Sequence, residues 1–318
     1  MAPVRPSELR SAAALFAVVG VLTAGCSVST TAPAKPVPAH AAAPASPVAR
    51  PPVGVIPVVD STVGRSMPIE AYLFTAEQLE QVTAARDKLT VQCMQRFGLS
   101  YTPAPQPQPR QGGQAAHRYD VVDPADGYRV PQSAPAPAAS TPPARLAPEE
   151  ITVLAGDVPG NSKPITTFHG LPIPKGGCLG AADAKLTAQG GSMTDSPQAV
   201  DINFDDYQHS MTDDRLRAVF SQWSDCMKAK GYAYPTPNDA TNDKRWKGTT
   251  TASAAEIATA TADAQCRQQT NVIGTWFTVE SAYEDQAIQA NLGRLNQVKQ
   301  GIAAVVGNAA TVNAGGGL

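Results

Sequence analysis

Charge is scarce in this 318-residue chain: 16% of residues are charged, and the formal net charge is -2. With no basic excess there is no field to draw in a polyanion, so nucleic acid is excluded as an expected partner. Aromatics make up only 6%, and the four histidines, His40, His117, His169 and His209, are scattered. No Gly-x-Ser-x-Gly, His-Glu-x-x-His, Gly-x-x-x-x-Gly-Lys-Ser/Thr or Gly-x-Gly-x-x-Gly occurs. The five cysteines include no Cys-x-x-Cys, the spacing that zinc and redox sites favour. The expectation is no catalytic residue, no cofactor and no metal.

What the chain has in excess is proline, 29 residues of it, strongly clustered. Residues 26–65 and the stretch 131–144 mix Pro with Ala, Ser and Thr and read as an extended tether and a linker. At the start, Arg5 and Arg10 precede the uncharged stretch Ser11–Ala24, which is shorter than the ~20 residues needed to cross a bilayer. Small residues lead into a cysteine at Thr23-Ala24-Gly25-Cys26. This resembles the lipobox of bacterial lipoproteins, although Thr23 stands where that motif prefers Leu. The resemblance implies a signal peptide over 1–25 and cleavage before Cys26. It also implies a diacylglycerol bearing palmitate-type chains on the Cys26 sulfur. The expected address is the outer face of the cytoplasmic membrane.

Helical signals dominate the rest. Thr75 and Gln78 form a capping-box pattern opening a helix over 75–97, with Leu79, Val82, Leu89, Cys93 and Phe97 on one face. A Pro-rich insertion spans 103–148, from which 117–122 and 126–131 are expected to dock on the core. Residues 149–178 read as irregular or weakly β, and a short helix follows to about 188. Further helices are expected over 212–230, after the capping box Ser253–Glu256, and over 273–306, with Leu292 among the core-facing residues of the last. The division is a first helical unit over 66–200, a second over 201–306 and a flexible tail over 307–318.

The most informative feature is a repeat: CMQRFGLSY from Cys93 and CMKAKGYAY from Cys226. In both, a Gly follows the cysteine by five places and ends a helix. With Cys26 carrying lipid, Cys93, Cys178, Cys226 and Cys266 remain. Four cysteines allow three pairings, and the repeat favours Cys93–Cys178 with Cys226–Cys266, since each unit then closes on itself. The expected fold class is mainly α: a disulfide-stapled helical domain built on two helix-Cys-Met-x-x-x-Gly units, with a Pro-rich disordered tether and linker.

Cys93-Met94, the segment HRYDVVDPADGYRVP from His117 to Pro131, and Gly176-Gly177-Cys178 belong to a longer pattern. So do Trp223-Ser224-Asp225-Cys226-Met227, Asp263 with Cys266, and Trp276 with Glu280 and Tyr283. Together they resemble a group of exported lipoproteins from actinomycete (Streptomyces-like) bacteria. The resemblance spans most of 70–300 and implies an exported, disulfide-bonded, mainly helical lipoprotein, with no activity attached.

Three patterns invite a sharper reading. Asp201–Asp206 begins like a calcium loop, but its sixth and twelfth places hold Asp206 and Thr212 instead of Gly and Glu, so a turn before the next helix is expected. Glu280 and Glu284 lie one turn apart and could be paired acids for glycoside cleavage; a solvated or salt-bridged helical face is the plainer expectation. Trp223, Trp276, Tyr232 and Tyr234 could line a sugar groove, but with so few aromatics a core role beside the disulfides is expected. The function that results is a non-catalytic binding or scaffold module between membrane and wall. Its partners are the membrane, through the Cys26 lipid, and wall polymer or a membrane protein. The alternatives are a wall hydrolase and a transporter-associated solute-binding lipoprotein.

Overall fold

The computed structural model describes residues 48–104, 118–121, 123–129, 146–156, 165–248 and 251–316. The signal segment, Cys26, His40, His117 and the linker at 131–144 lie outside them. Among the described residues, eight helices carry the fold: α1 (Ala76–Arg96), α2 (Pro148–Ala155), α3 (Gly177–Leu186), α4 (Pro197–Thr212), α5 (Asp214–Ala229), α6 (Pro237–Thr241), α7 (Ala254–Thr270) and α8 (Val272–Asn313). The strands among the described residues, β1 (Thr167–Phe168) and β2 (Leu171–Pro172), form one antiparallel hairpin. The chain is mainly α, and no described helix is long and apolar enough to cross a membrane.

The axis of the fold is α8. Its 42 residues make a rod about 63 Å long at 1.5 Å per residue. Helices α1, α3, α4, α5 and α7 all pack along it. Around its first half, Leu216, Phe220 and Trp223 of α5 meet Ile273, Trp276 and Ile288 in the largest core cluster. Around its second half, Val82, Ala85 and Leu89 of α1 and Leu186 of α3 meet Ile302, Val305 and Ala309. Trp223 and Trp276 have no exposed surface, and Tyr232 and Tyr234 pack against the same core. Burying a side chain of this size contributes roughly 2 to 3 kcal/mol each.

The helix signals hold where capping chemistry wrote them. Thr75 Oγ1 accepts from Gln78 N at 3.2 Å while Gln78 Oε1 accepts from Thr75 N at 3.0 Å. Ser253 Oγ accepts from Glu256 N at 3.1 Å, but Glu256 does not reach back to complete a box; its carboxylate turns inward to Tyr128 N and Arg129. The two Cys-Met-x-x-x-Gly stretches end their helices alike. Leu99 N donates to Met94 O at 3.1 Å and Tyr232 N to Met227 O at 2.9 Å, across Gly98 at φ 76° and Gly231 at φ 89°. The likeness stops at these caps, because α1 serves one half of α8 and α5 the other.

Both expected disulfides are present. Cys93–Cys178 joins α1 to α3 across 85 positions, and Cys226–Cys266 joins α5 to α7 across 40. Around the first, Met94, Phe97 and Val153 form a small satellite core.

Several expectations fail, each for a physical reason. Residues 149–155 are helical, because Pro148 opens the helix, Glu150 Oε2 accepts from Ala147 N at 2.7 Å, and Glu149 and Glu150 sit in its first turn. The supposed calcium turn is inside α4, whose core face carries Ala199, Ile202, Asp206 and Ser210. Leu79 and Leu292, placed on core faces by spacing, are 41% and 40% exposed. The tail folds too: α8 continues to Asn313, with Asn308, Ala309 and Val312 buried. No boundary falls at 200, since Val48–Leu318 is one compact unit. The tether does not last to 65. From residue 48 the chain is a strap packed on the helices, with Pro51, Val59 and Thr62 buried.

Asn271 fastens that strap. It stands at φ 54° between α7 and α8, accepts from Val59 N at 3.2 Å and donates to Pro57 O at 3.0 Å. A Cβ on Gly274 would collide with the Pro57 carbonyl, so α8 lies against strap backbone there.

Closing the 40-position loop should be worth roughly 4 kcal/mol by loop entropy. Replacing Cys226 and Cys266 together by Ser is expected to lower urea stability by about that amount. Reduction of the native protein, which opens Cys93–Cys178 as well, should cost more, and an unchanged urea midpoint in either case would contradict it.

Candidate functional site: a buried acidic cluster under the strap

Three carboxylates converge where α4, α8 and the strap meet. Glu280 and Glu284 of α8 have no exposed surface, and Asp206 of α4 is 3% exposed. Of the solvated or salt-bridged face expected for the two glutamates, the solvated alternative is corrected, since both face the core, while Glu280 is salt-bridged. Charges this deep need partners drawn from elsewhere in the chain. Arg118 supplies one. Its guanidinium pairs with Glu280, donates to Asn203 Oδ1 at 3.1 Å and lies 5.1 Å from the Tyr207 ring centre. The strap supplies another, Ile69 N, which donates to Glu284 Oε2 at 2.9 Å. His209 Nδ1 lies 3.2 Å from Asp206 Oδ1, and its ring stacks on Tyr283 at 5.8 Å. Tyr283 OH donates to Asp213, whose carboxylate also takes Arg215 and Arg50 of the strap.

The electrostatics follow from counting. Three carboxylates face one guanidinium, and among the described residues Glu284 Oε1 and Asp206 Oδ2 are buried without a hydrogen-bond partner. Burial pushes the Glu284 carboxyl up to about 8; the Ile69 amide and Arg118 oppose the rise, and Glu280 and Asp206 add to it. Burial also raises Glu280, against the pull of Arg118, and raises Asp206, against His209. Glu284 is thus a neutral acid at pH 7.

A second buried network lies alongside. Arg267 clasps Asp263 through two contacts at 2.8 and 2.9 Å, and Asp263 also accepts from Trp223 Nε1 at 2.7 Å. Arg267 donates onward to Tyr119 O at 2.7 Å. Arg129 pairs with Glu256 at 3.1 Å. Residues 118–121 and 123–129 supply much of this network. Arg118 and Arg129 neutralise buried glutamates, Tyr119 fills the core against Trp276, and Asp120 accepts from Ser61 and Thr62 of the strap. The arginines were legible only as part of a motif. What could have singled them out is the pairing of few cations with acids on otherwise apolar helix faces.

Among the described residues, cavities open on two flanks of α8, and neither of these is lined by Glu280 or Glu284. One, of about 270 Å³, has Ile202, Asp206, His209 and Tyr283 in its wall. The other, of about 320 Å³, lies between the strap and α8. Of the histidines, His209 reaches a cavity, whereas His169 stands at the β1–β2 turn with Nδ1 3.2 Å from Phe97 O. The cluster therefore binds the fold together from within. Among the described residues no group of three His, Cys, Asp or Glu side chains could hold a metal ion.

The Glu284 proton sets a direction for stability with pH. Its folded pKa, about 8, lies above the ordinary glutamate value of 4.5, so the folded state holds an extra proton between those limits. That contribution falls as pH rises through the window, by at most about 1.4 kcal/mol per pH unit, and flattens above it. Glu284→Gln, which mimics the neutral acid, should match the native protein near the lower limit and exceed it near the upper one. Urea denaturation at a series of pH values reads this. A pH-independent loss in the variant would show that the carboxyl is not protonated in the fold.

Comparison with known proteins supplies no relative: no family model, no curated protein and no solved structure matches the chain.

Proposed function

We propose that this chain is an extracytoplasmic lipoprotein, held to the outer face of the membrane by lipid on Cys26, that works as a non-catalytic binding or scaffold module between membrane and wall. The observation that carries the reading is the pair of disulfides. Such bonds persist in oxidising compartments outside the cytoplasm and are rare inside it. The small residues before Cys26 agree with that address. The four other cysteines are taken up in the fold, which leaves Cys26 a separate role.

The module reading draws support from what the acids do. Glu280 is engaged by Arg118 and Glu284 by the Ile69 amide, so the pair that a hydrolase would use serves the core instead. A solute-binding lipoprotein calls for alternating strands and helices, and the described strands amount to one hairpin of two two-residue strands.

Detergent phase partition of whole cells tests the anchor. The native protein should enter the detergent phase, and Cys26→Ala should leave it for the aqueous phase. A Cys26→Ala protein still wholly in the membrane fraction would refute the lipid anchor. For the module itself, the purified protein should be retained saturably on wall material or crosslink to a membrane partner; the absence of both would refute it.

A further inference from the structure

The cavity between strap and α8 has an unusual lining. Pro52, Val53 and Pro57 of the strap make one apolar wall, and Phe277 of α8 faces them. Two side chains of opposite sign also line it, Arg65 from the strap and Asp285 from α8. They form no ion pair with each other, and among the described residues neither side chain has another polar partner. Arg86, Arg118, Arg129, Arg215, Arg245 and Arg267 all meet carboxylates, whereas among the described residues Arg65 forms no ion pair, like the exposed Arg96 and Arg294. What sets Arg65 apart from those two is that it lines one groove together with Asp285. Partial burial raises the Asp285 carboxyl, and no cation offsets the rise.

We propose that this groove binds a small zwitterion of the amino-acid or dipeptide class, its carboxylate on Arg65, its ammonium on Asp285 and its side chains against Phe277 and the prolines. A ligand with one charge would satisfy one end only. The groove's volume of about 320 Å³ is at the small end of ligand sites, which suits a dipeptide better than a larger solute. Guanidinium binds carboxylate through paired N–H donors, and the prolines hold their wall in place at little entropic cost. The proposal deepens the binding-module reading and rests on it, since it gives that module a ligand class.

Titration of the whole chain with L-alanyl-L-alanine, followed by NMR or calorimetry, tests it. Saturable binding is expected with a Kd on the order of 1 mM, as suits a ligand of this size. Arg65→Gln and Asp285→Asn should each weaken it about tenfold, and both replace exposed side chains outside the core. Two half-ligands sharpen the test. N-acetylalanine, which keeps only the carboxylate, should lose binding in Arg65→Gln and ignore Asp285→Asn. Alaninamide, which keeps only the ammonium, should do the reverse. No saturable binding by the dipeptide, or binding indifferent to both substitutions, overturns the proposal. Retention on wall material, measured in parallel, separates the two readings. If retention persists without dipeptide binding, the groove proposal falls and the module reading stands; if the dipeptide binds but retention fails, the groove proposal stands and the wall-binding role falls.

Discussion

The ion pair between Arg118 and Glu280 is the contact on which the arrangement around α8 depends. A carboxylate with no exposed surface costs several kcal/mol unless a cation or donor meets it. Helix α8 carries two such carboxylates, Glu280 and Glu284, and neighbouring α7 carries two more, Glu256 and Asp263. Helices pack by apolar surface, which tolerates many neighbours. Buried acids tolerate few, and each here names its partner. Glu280 requires Arg118, Glu284 the Ile69 amide, Glu256 the Tyr128 amide with Arg129, and Asp263 requires Arg267. The partners of three of these four come from segments without long helices, so irregular chain is drawn onto the helical body at defined points.

The two disulfides do a different job. Each ties a helix packed on α8 to another element: α1 to α3 on one half, α5 to α7 on the other. They restrict the unfolded chain more than they decide the folded packing. Removing one should therefore loosen a half without rearranging the polar contacts that join strap, 118–129 segment and α8. Staples and polar clasps act on different states of the chain, and a fold with 16% charged residues uses both.

This division explains what could be read in advance. Helices α1, α5, α7 and α8 announce themselves by capping residues and apolar spacing, and the disulfide pairing follows from the repeated Cys-Met-x-x-x-Gly stretches. Helix α4 hides because polar residues, Asp206 and Ser210, occupy its core face, so apolar periodicity fades. Helix α2 hides because it is short and rich in β-branched residues, whose propensity points to strand while Pro148 and Glu150 decide for helix. The strap over 48–74 reads as tether because its composition is that of a linker. It packs only because distant donors and acceptors, Asn271, Asp213, Asp120 and Glu284, hold its backbone and Arg50. The burial of Glu280 and Glu284 is illegible for the same reason, since its cause lies some 160 and 215 positions away in Arg118 and Ile69.

The strap joins the cluster to the groove. It forms the apolar wall of the groove at Pro52–Pro57 and is pinned on either side of that wall, by Arg50 to Asp213 and by Ile69 to Glu284. Asp285, at the groove's opposite wall, follows Glu284 directly on α8. Losing the Glu284 proton leaves an unneutralised charge beside the Arg118–Glu280 pair under the strap, a burial cost that the bond from Ile69 N offsets only in part. Conversely, any ligand that holds strap to α8 stabilises the docked strap by mass action and keeps Glu284 in its buried, protonated form. Ligand and proton therefore favour the same state. Glu280 and Glu284, which line neither cavity, still bear on the groove through the one segment that both share.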